Sequence, residues 1–258
     1  MNETSGSDRR RIASGLALAG IRSGAMILVH SSLRSLGHVM GGAGTVVQAL
    51  LDAVGPEGTL LMPALSYDAV TPASPRFDAR WTPSNVGAIP ERFRTTAGVR
   101  RSHHPTHSVC GMGRHAGDLL GGHEKDRTPC GPRSPYRLLA ERGGLIVFLG
   151  CGLLPNTSMH GVEELVEPPY LFRGEISFTV TREDGSSFTG SYRMHDFLGY
   201  RQRYDRIAQL DDGGWIRTSR VLDAAVHVVD AASLWRRAEE RLRSDPLFFV
   251  EPEDLRPR

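Results

Sequence analysis

The chain has 258 residues, of which 40% are hydrophobic and 23% charged, the make-up of a folded globular protein rather than a disordered one. Its 31 basic and 29 acidic residues leave a formal charge of +2, which gives no global electrostatic case for nucleic acid or a membrane surface. Every basic residue but Lys125 is arginine, a bias that suits phosphates and carboxylates and that genome base composition produces equally well.

No apolar run approaches the ~20 residues that span a bilayer. Residues 1–11 are polar and lack the apolar core of a signal peptide. Cys110, Cys130 and Cys151 are odd in number and widely spaced, so a secreted disulfide framework is not expected. The expectation is a cytoplasmic protein with reduced thiols.

In chain order, residues 8–22 read as a surface helix. Met26-Ile27-Leu28-Val29 is a buried strand, followed directly by His30-Ser31-Ser32. A helix from the glycine cluster at 41–44 ends at Gly55-Pro56, and Thr59-Leu60-Leu61-Met62 is a second strand. A strand–helix–strand unit favours a parallel sheet with a right-handed crossover. Residues 64–84 form a long polar loop. Ser84 is the expected cap of a helix through Phe93, with Pro90 kinking it or lying in its first turn. Residues 100–105 are irregular and residues 114–121 a short helix. Ser134-Pro135 opens another helix, as a cap followed by proline at the first helical position.

Leu145-Ile146-Val147-Phe148-Leu149 is the strongest strand. A helix then runs from Asn156-Thr157 to about Val166, before Pro168-Pro169. The last third changes character. Residues 175–182 and 187–194 alternate around Asp184-Gly185, a hairpin signal. A strand is expected over 221–229, a charged amphipathic helix over 231–244, and docking of Leu247-Phe248-Phe249-Val250 on the core. The fold class is therefore α/β: a single domain over 8–252 in two subregions, with a parallel-rich central sheet flanked by helices and an antiparallel C-terminal section.

Several clusters invite a ligand. Gly111-Met112-Gly113-Arg114-His115-Ala116 matches G-x-G-x-x-A, but no strand ending in an acidic residue follows ~20 positions later, as a dinucleotide site needs. His103, His104 and His107 with Cys110 offer metal-ligand atoms, yet the spacing is not a standard ligand pair, so no metal is expected. Ser31 and Ser32 lie at the carboxyl end of a buried strand, where ligands bind in open α/β sheets; a plain serine-rich turn reads equally well. His160 and Glu163 are i and i+3 on one helix face, with Thr157 one turn earlier. A carboxylate on one imidazole nitrogen raises the basicity of the other, as a general base requires; a helix histidine in a surface ion pair has the same spacing. Gly161 weakens that helix, which points to a close backbone approach.

Taken together, Val29-His30-Ser31-Ser32-Leu33, Gly58-Thr59-Leu60-Leu61-Met62-Pro63, Arg101-Ser102-His103-His104-Pro105, Gly131-Pro132-Arg133-Ser134-Pro135, Gly150-Cys151-Gly152 and Asn156-Thr157-Ser158-Met159-His160 occur in this order. The ordered set strongly resembles the aminoglycoside 3-N-acetyltransferase family, from about residue 10 to residue 250. The resemblance implies direct acetyl transfer from acetyl-CoA to an amine, with no acyl-enzyme and no metal. It implies His160 as general base, Glu163 as its partner, and Thr157 or a backbone amide as oxyanion donor. It implies that Ser31, Ser32, Leu33, Arg101 and Ser102 line the coenzyme A site. A polycationic aminoglycoside calls for acids, which Asp68, Glu163, Glu164 and Glu167 are expected to supply, although the loop at 66–83 holds only Asp68 and Asp78. Alternatives are the same chemistry on another amine, or a noncatalytic binding protein on this fold. Neither nucleic acid nor membrane is an expected partner, and a monomer or homodimer is expected.

Overall fold

The computed structural model describes residues 3–253 apart from Leu198. A seven-stranded sheet forms its centre, in the order β10-β11-β6-β1-β2-β5-β4. The strands are β1 (Met26–Ser31), β2 (Thr59–Pro63), β4 (Arg100–Arg101), β5 (Val109–Gly113), β6 (Leu145–Leu149), β10 (Ile216–Val221) and β11 (Ala224–Asp230). β1 pairs in parallel with β2 on one side and β6 on the other, while β5 and β11 are antiparallel. Five of the seven strands point the same way.

The central strands read as unbroken apolar runs because both faces are covered. Ile27 and Val29 face a layer that includes Leu16, Val46, Leu50 and Phe93, from α1 (Glu3–Leu18), α2 (Gly42–Val54) and α3 (Ala88–Arg94). Leu28 faces the opposite layer with Ile146 and Phe148. That layer is built by α4 (Ala116–Leu120), α5 (Pro135–Glu141), α6 (Ser158–Val166) and α7 (Ala231–Ser244). Side-chain alternation along one strand thus feeds two cores. Ser134 caps α5 by accepting from Arg137 N–H, and Asp230 caps α7 by accepting from Ser233 N–H.

A second sheet stands apart from the first. β3 (Arg76–Asp78) pairs in parallel with β7 (Phe172–Thr181), which forms the expected hairpin with β8 (Ser187–His195). Phe77, Phe178, Val180 and Tyr192 fill its own small core. β9 (Tyr200–Gln202) and β12 (Val250–Pro252) form a short antiparallel pair that fixes the C-terminal segment, where Phe249 is buried.

Four local expectations are corrected. The first helix is Glu3–Leu18 rather than 8–22. The strand expected over 221–229 is two strands, with Leu222 at φ 51° in the turn between them. Ser84 does not cap α3, whose cap is Gly87; instead the Ser84 N–H donates to the Glu91 carboxylate. Residues 109–113 form β5, where glycines at 111 and 113 hid the strand; a Cβ on Gly113 would lie 2.2 Å from Gly58 O. That close backbone packing explains the glycine pattern there, and β5 is antiparallel to its neighbour β2, whereas a dinucleotide fingerprint follows a strand of a parallel strand–helix–strand unit.

Candidate active site

β1 is the switch point of the sheet: chain connections leave it toward β2 on one side and reach β6 on the other. Ligands bind above such points, at the carboxyl ends of the strands. A cavity of about 720 Å³ opens there. Ser31 and His30 form its floor, His107 comes from the loop before β5, Asn156, Thr157 and His160 from the start of α6, and His195 to Phe197 from the end of β8.

α6 sets the chemistry. His160 and Glu163 are both buried, and the direct distance from His160 Nδ1 to Glu163 Oε2 is 3.4 Å. A shorter path runs through Tyr204. Its hydroxyl lies 2.9 Å from His160 Nδ1 and donates to Glu163 Oε2 at 2.7 Å. With that proton committed to the carboxylate, the hydroxyl accepts from His160 Nδ1–H. Tyr170 donates to the other Glu163 oxygen at 2.9 Å. The imidazole is thereby fixed with Nε2 as its free, proton-accepting nitrogen.

Gly161 has a packing reason. A Cβ there would lie 2.4 Å from Trp235 Cη2, and the Trp235 indole N–H donates to Ser158 Oγ at 2.8 Å. The tryptophan of α7 therefore lies flush against the first turn of α6. Thr157 is at the cap position, but its hydroxyl makes no capping bond. Asn156 is buried with both side-chain polar atoms unpartnered, and so is Ser31 Oγ. Buried polar groups are almost always satisfied, so these atoms mark places where a ligand's polar groups fit.

Three more histidines surround His160. The ring centroids of His107 and His195 lie 5.6 and 5.1 Å from that of His160. Burial and the neighbouring imidazoles press both well below the ordinary histidine range. His30 stacks on Phe148 and is pushed down to about 3 by burial.

The model of the family described as aminoglycoside 3-N-acetyltransferase matches residues 28–243. The chain belongs to that family. It is 32% identical to aminoglycoside N(3)-acetyltransferase VIII of Streptomyces fradiae, over 92% of each chain. The crystal structure of the YokD protein from Bacillus subtilis superposes with a TM-score of 0.82 at 26% identity, covering 93% of this chain and 94% of that one. The AAC-IIIb enzyme in binary complex with coenzyme A superposes at 0.80 and 27% identity, over 95% and 98%. As a member of the aminoglycoside 3-N-acetyltransferase family, the protein is an acyltransferase.

Its thiols are not nucleophiles near neutral pH: burial pushes Cys110 and Cys151 up to about 12, and Cys130 rises well above its ordinary value. The residues expected at the two binding sites divide. Ser31 lines the cavity, whereas Ser32 Oγ is bonded to Ser35 Oγ at 2.9 Å and Leu33 packs against the core beneath the first helices. Arg101 does not fit a phosphate-binding role. Its guanidinium donates to Ser108 Oγ and to the carbonyls of Thr82 and Ala64, and it lies over the Phe77 ring at 4.7 Å. Burial lowers its pKa to about 10, leaving a charged internal tie between three segments. Ser102 is equally committed, to His123 Nδ1 and to Val109 N–H.

The expected acids are also redistributed. Asp68 is exposed outside the cavity, and Glu167 pairs with Arg193 on the surface. Glu164 is turned inward, where it accepts from Thr128 Oγ1, Cys130 N–H and His195 Nε2. Burial pushes it up to about 7. The carboxylate that does line the cavity is Asp196, paired with Arg173 at 3.5 Å. The residues at 103–110 that offer metal-ligand atoms are dispersed: His103 bridges Glu124 and Glu183, His104 stacks on His123, Cys110 sits in the core, and His107 alone of the four reaches the cavity. Sequence reasoning missed Tyr204, His195 and Asn156. Asn156 opens the motif that ends in His160, and that place in the motif was its only signal.

Proposed function

We propose that the protein transfers the acetyl group of acetyl-CoA directly to the 3-amino group of an aminoglycoside, with His160 as general base. The observation that carries this reading is the buried chain from His160 Nδ1 through Tyr204 to Glu163, which leaves Nε2 free at the cavity wall. The amine nitrogen attacks the thioester carbon while Nε2 takes its proton. Thr157, by its hydroxyl or the adjacent backbone, faces the developing oxyanion, where one such donor contributes ~3 kcal/mol. The tetrahedral intermediate then expels the coenzyme A thiolate, and the proton on His160 passes to that sulfur. The Glu163 carboxylate, relayed by Tyr204, stabilises the imidazolium between the two steps. Ser31, on the cavity wall, is assigned to the coenzyme A arm.

One observation favours a second reading of the substrate. Among the described residues the cavity wall carries a single acidic residue, Asp196, too few to match several ammonium groups. An amine of lower charge fits that wall better. A thiol-release assay with acetyl-CoA and a panel of aminoglycosides and simpler amines separates the two. Turnover on aminoglycosides supports the first; turnover confined to other amines supports the second. Coenzyme A binding undetected by calorimetry refutes both. His160→Ala is expected to abolish turnover and leave coenzyme A affinity near that of the wild type.

A further inference from the structure

Three of the four histidines at the cavity wall have a property that acetyl transfer does not use. His107, His160 and His195 come from three separate parts of the fold, and one ring nitrogen of each lies within 4.8 Å of the other two. One nitrogen of every ring is held by an oxygen: His107 Nδ1 by Thr106 Oγ1, His160 Nδ1 by the Tyr204 hydroxyl, and His195 Nε2 by Glu164, each at 2.9 Å. That leaves His107 Nε2, His160 Nε2 and His195 Nδ1, of which His195 Nδ1 is buried and unpartnered. Imidazoles oriented from behind by hydroxyls and carboxylates, with their free lone pairs converging, make up the ligand set of open zinc sites: three protein nitrogens and a fourth position for solvent or substrate.

We propose that this chain binds one divalent ion of the zinc class through His107 Nε2, His160 Nε2 and His195 Nδ1, with the fourth position facing the cavity. Zinc–nitrogen bonds of about 2.05 Å place the three nitrogens about 3.3 Å apart. The rings therefore move toward one another by no more than about 1.5 Å, with the three backing oxygens kept. Glu163 and Glu164 stand behind two of the ligands and offset the added charge. The site stands independently of acetyl transfer; its consequence rests on that reading. A metal ion on His160 Nε2 takes the lone pair that would accept the amine proton, so occupancy switches the transferase off.

The test uses the full chain freed of metal by chelator and dialysis. Isothermal titration with zinc chloride is expected to give one ion per chain, and Co²⁺ an intense visible band of a four-coordinate nitrogen site. His107→Ala and, separately, His195→Gln are expected to weaken zinc at least 100-fold and abolish the cobalt band. Circular dichroism and thermal unfolding verify that both variants fold. Absence of zinc binding and of the cobalt band in the wild type overturns the site, as does wild-type affinity in both folded variants. In the same samples, one equivalent of zinc is expected to suppress acetyl transfer and chelator to restore it. Bound zinc with undiminished turnover overturns the inhibitory role alone. Zinc binding in a protein whose metal-free form acetylates no amine of the panel refutes the proposed reaction and leaves the metal site standing.

Discussion

Tyr204→Phe isolates the relay between histidine and carboxylate. The substitution removes one oxygen from a buried site and with it two hydrogen bonds, at 2.9 Å to His160 and 2.7 Å to Glu163. What remains between base and carboxylate is the 3.4 Å contact, beyond the usual range of a good hydrogen bond. In the proposed reaction the imidazole becomes an imidazolium, so the lost link is charge-assisted and worth ~1.5–3 kcal/mol. That converts to a fall in kcat of roughly 10- to 150-fold. The KM for acetyl-CoA stays near the wild-type value, because the hydroxyl sits behind the base. Tyr170→Phe is the control: its hydroxyl touches Glu163 alone, so its kcat falls less. Steady-state thiol release with an accepted amine measures both. An unchanged kcat in Tyr204→Phe beside a hundredfold loss in Glu163→Gln refutes the relay and restores the direct i, i+3 pair.

Three further outcomes are expected. Arg101→Met takes the donor from the buried Thr82 carbonyl, while Ser108 Oγ still donates to Ala64 O, and destabilises the protein by about 2 kcal/mol in urea unfolding, while coenzyme A affinity of the folded protein stays within twofold; a tenfold loss of affinity at unchanged stability returns Arg101 to the cofactor site. Gly161→Ala drives a methyl group to 2.4 Å from the Trp235 ring and costs ~1–3 kcal/mol through overpacking despite a better helix former; a gain in melting temperature contradicts the packing argument. Stability falls on acidification: burial holds His30 at about 3, His123 at about 4 and His104 well below its ordinary value, so below the unfolded-state value of ~6.5 the unfolded chain binds protons that the folded chain refuses. His107 and His195, pressed well below their ordinary value, refuse two more. Asp126, raised to about 6 by burial, and Glu164, raised to about 7, oppose them with one proton each. The net of about three protons gives a loss of ~4 kcal/mol per pH unit between about pH 6 and pH 4, and a urea midpoint flat over that window refutes it.

The elements that sequence made legible are those specified by neighbours along the chain. Apolar runs two faces deep read as β1, β2 and β6 because nothing else accommodates them. The register of His160 and Glu163 followed from helix geometry over one turn. What escaped is set by distant pairing. Tyr204 lies 41 residues from Glu163, on a segment with no motif, and becomes a relay only because it is buried beneath α6. His195 ends β8, whose position depends on the second sheet. Glu164 sits one residue from Glu163 and reads as an exposed acid, yet that one-residue step turns it toward His195 and Cys130 N–H. Arg101 carried the family motif and an attractive charge, but charge alone does not distinguish a guanidinium facing a ligand from one tying three backbone segments together.

The same distinction reshapes the electrostatics of the whole site. Many arginines are neutralised locally, in pairs such as Arg9–Asp52, Arg94–Glu91 and Arg182–Glu124. Among the described residues the cavity wall contains neither arginine nor lysine, four histidines that burial or mutual contact crowds together, and the single acid Asp196. A wall of that composition attracts neither phosphates nor a polycation by long-range field. Recognition inside it must come from shape and from the unpartnered polar atoms of Ser31 and Asn156. On the proposed function, the phosphates of coenzyme A then belong outside the cavity, at its rim, and only the acetyl-pantetheine arm and the amine enter. Discrimination by charge among amines is left to one carboxylate: Asp196→Asn should raise the KM of a charged amine tenfold or more while kcat, which the proposed mechanism assigns to His160, changes little. Equal effects on both constants would place Asp196 in the chemical step instead.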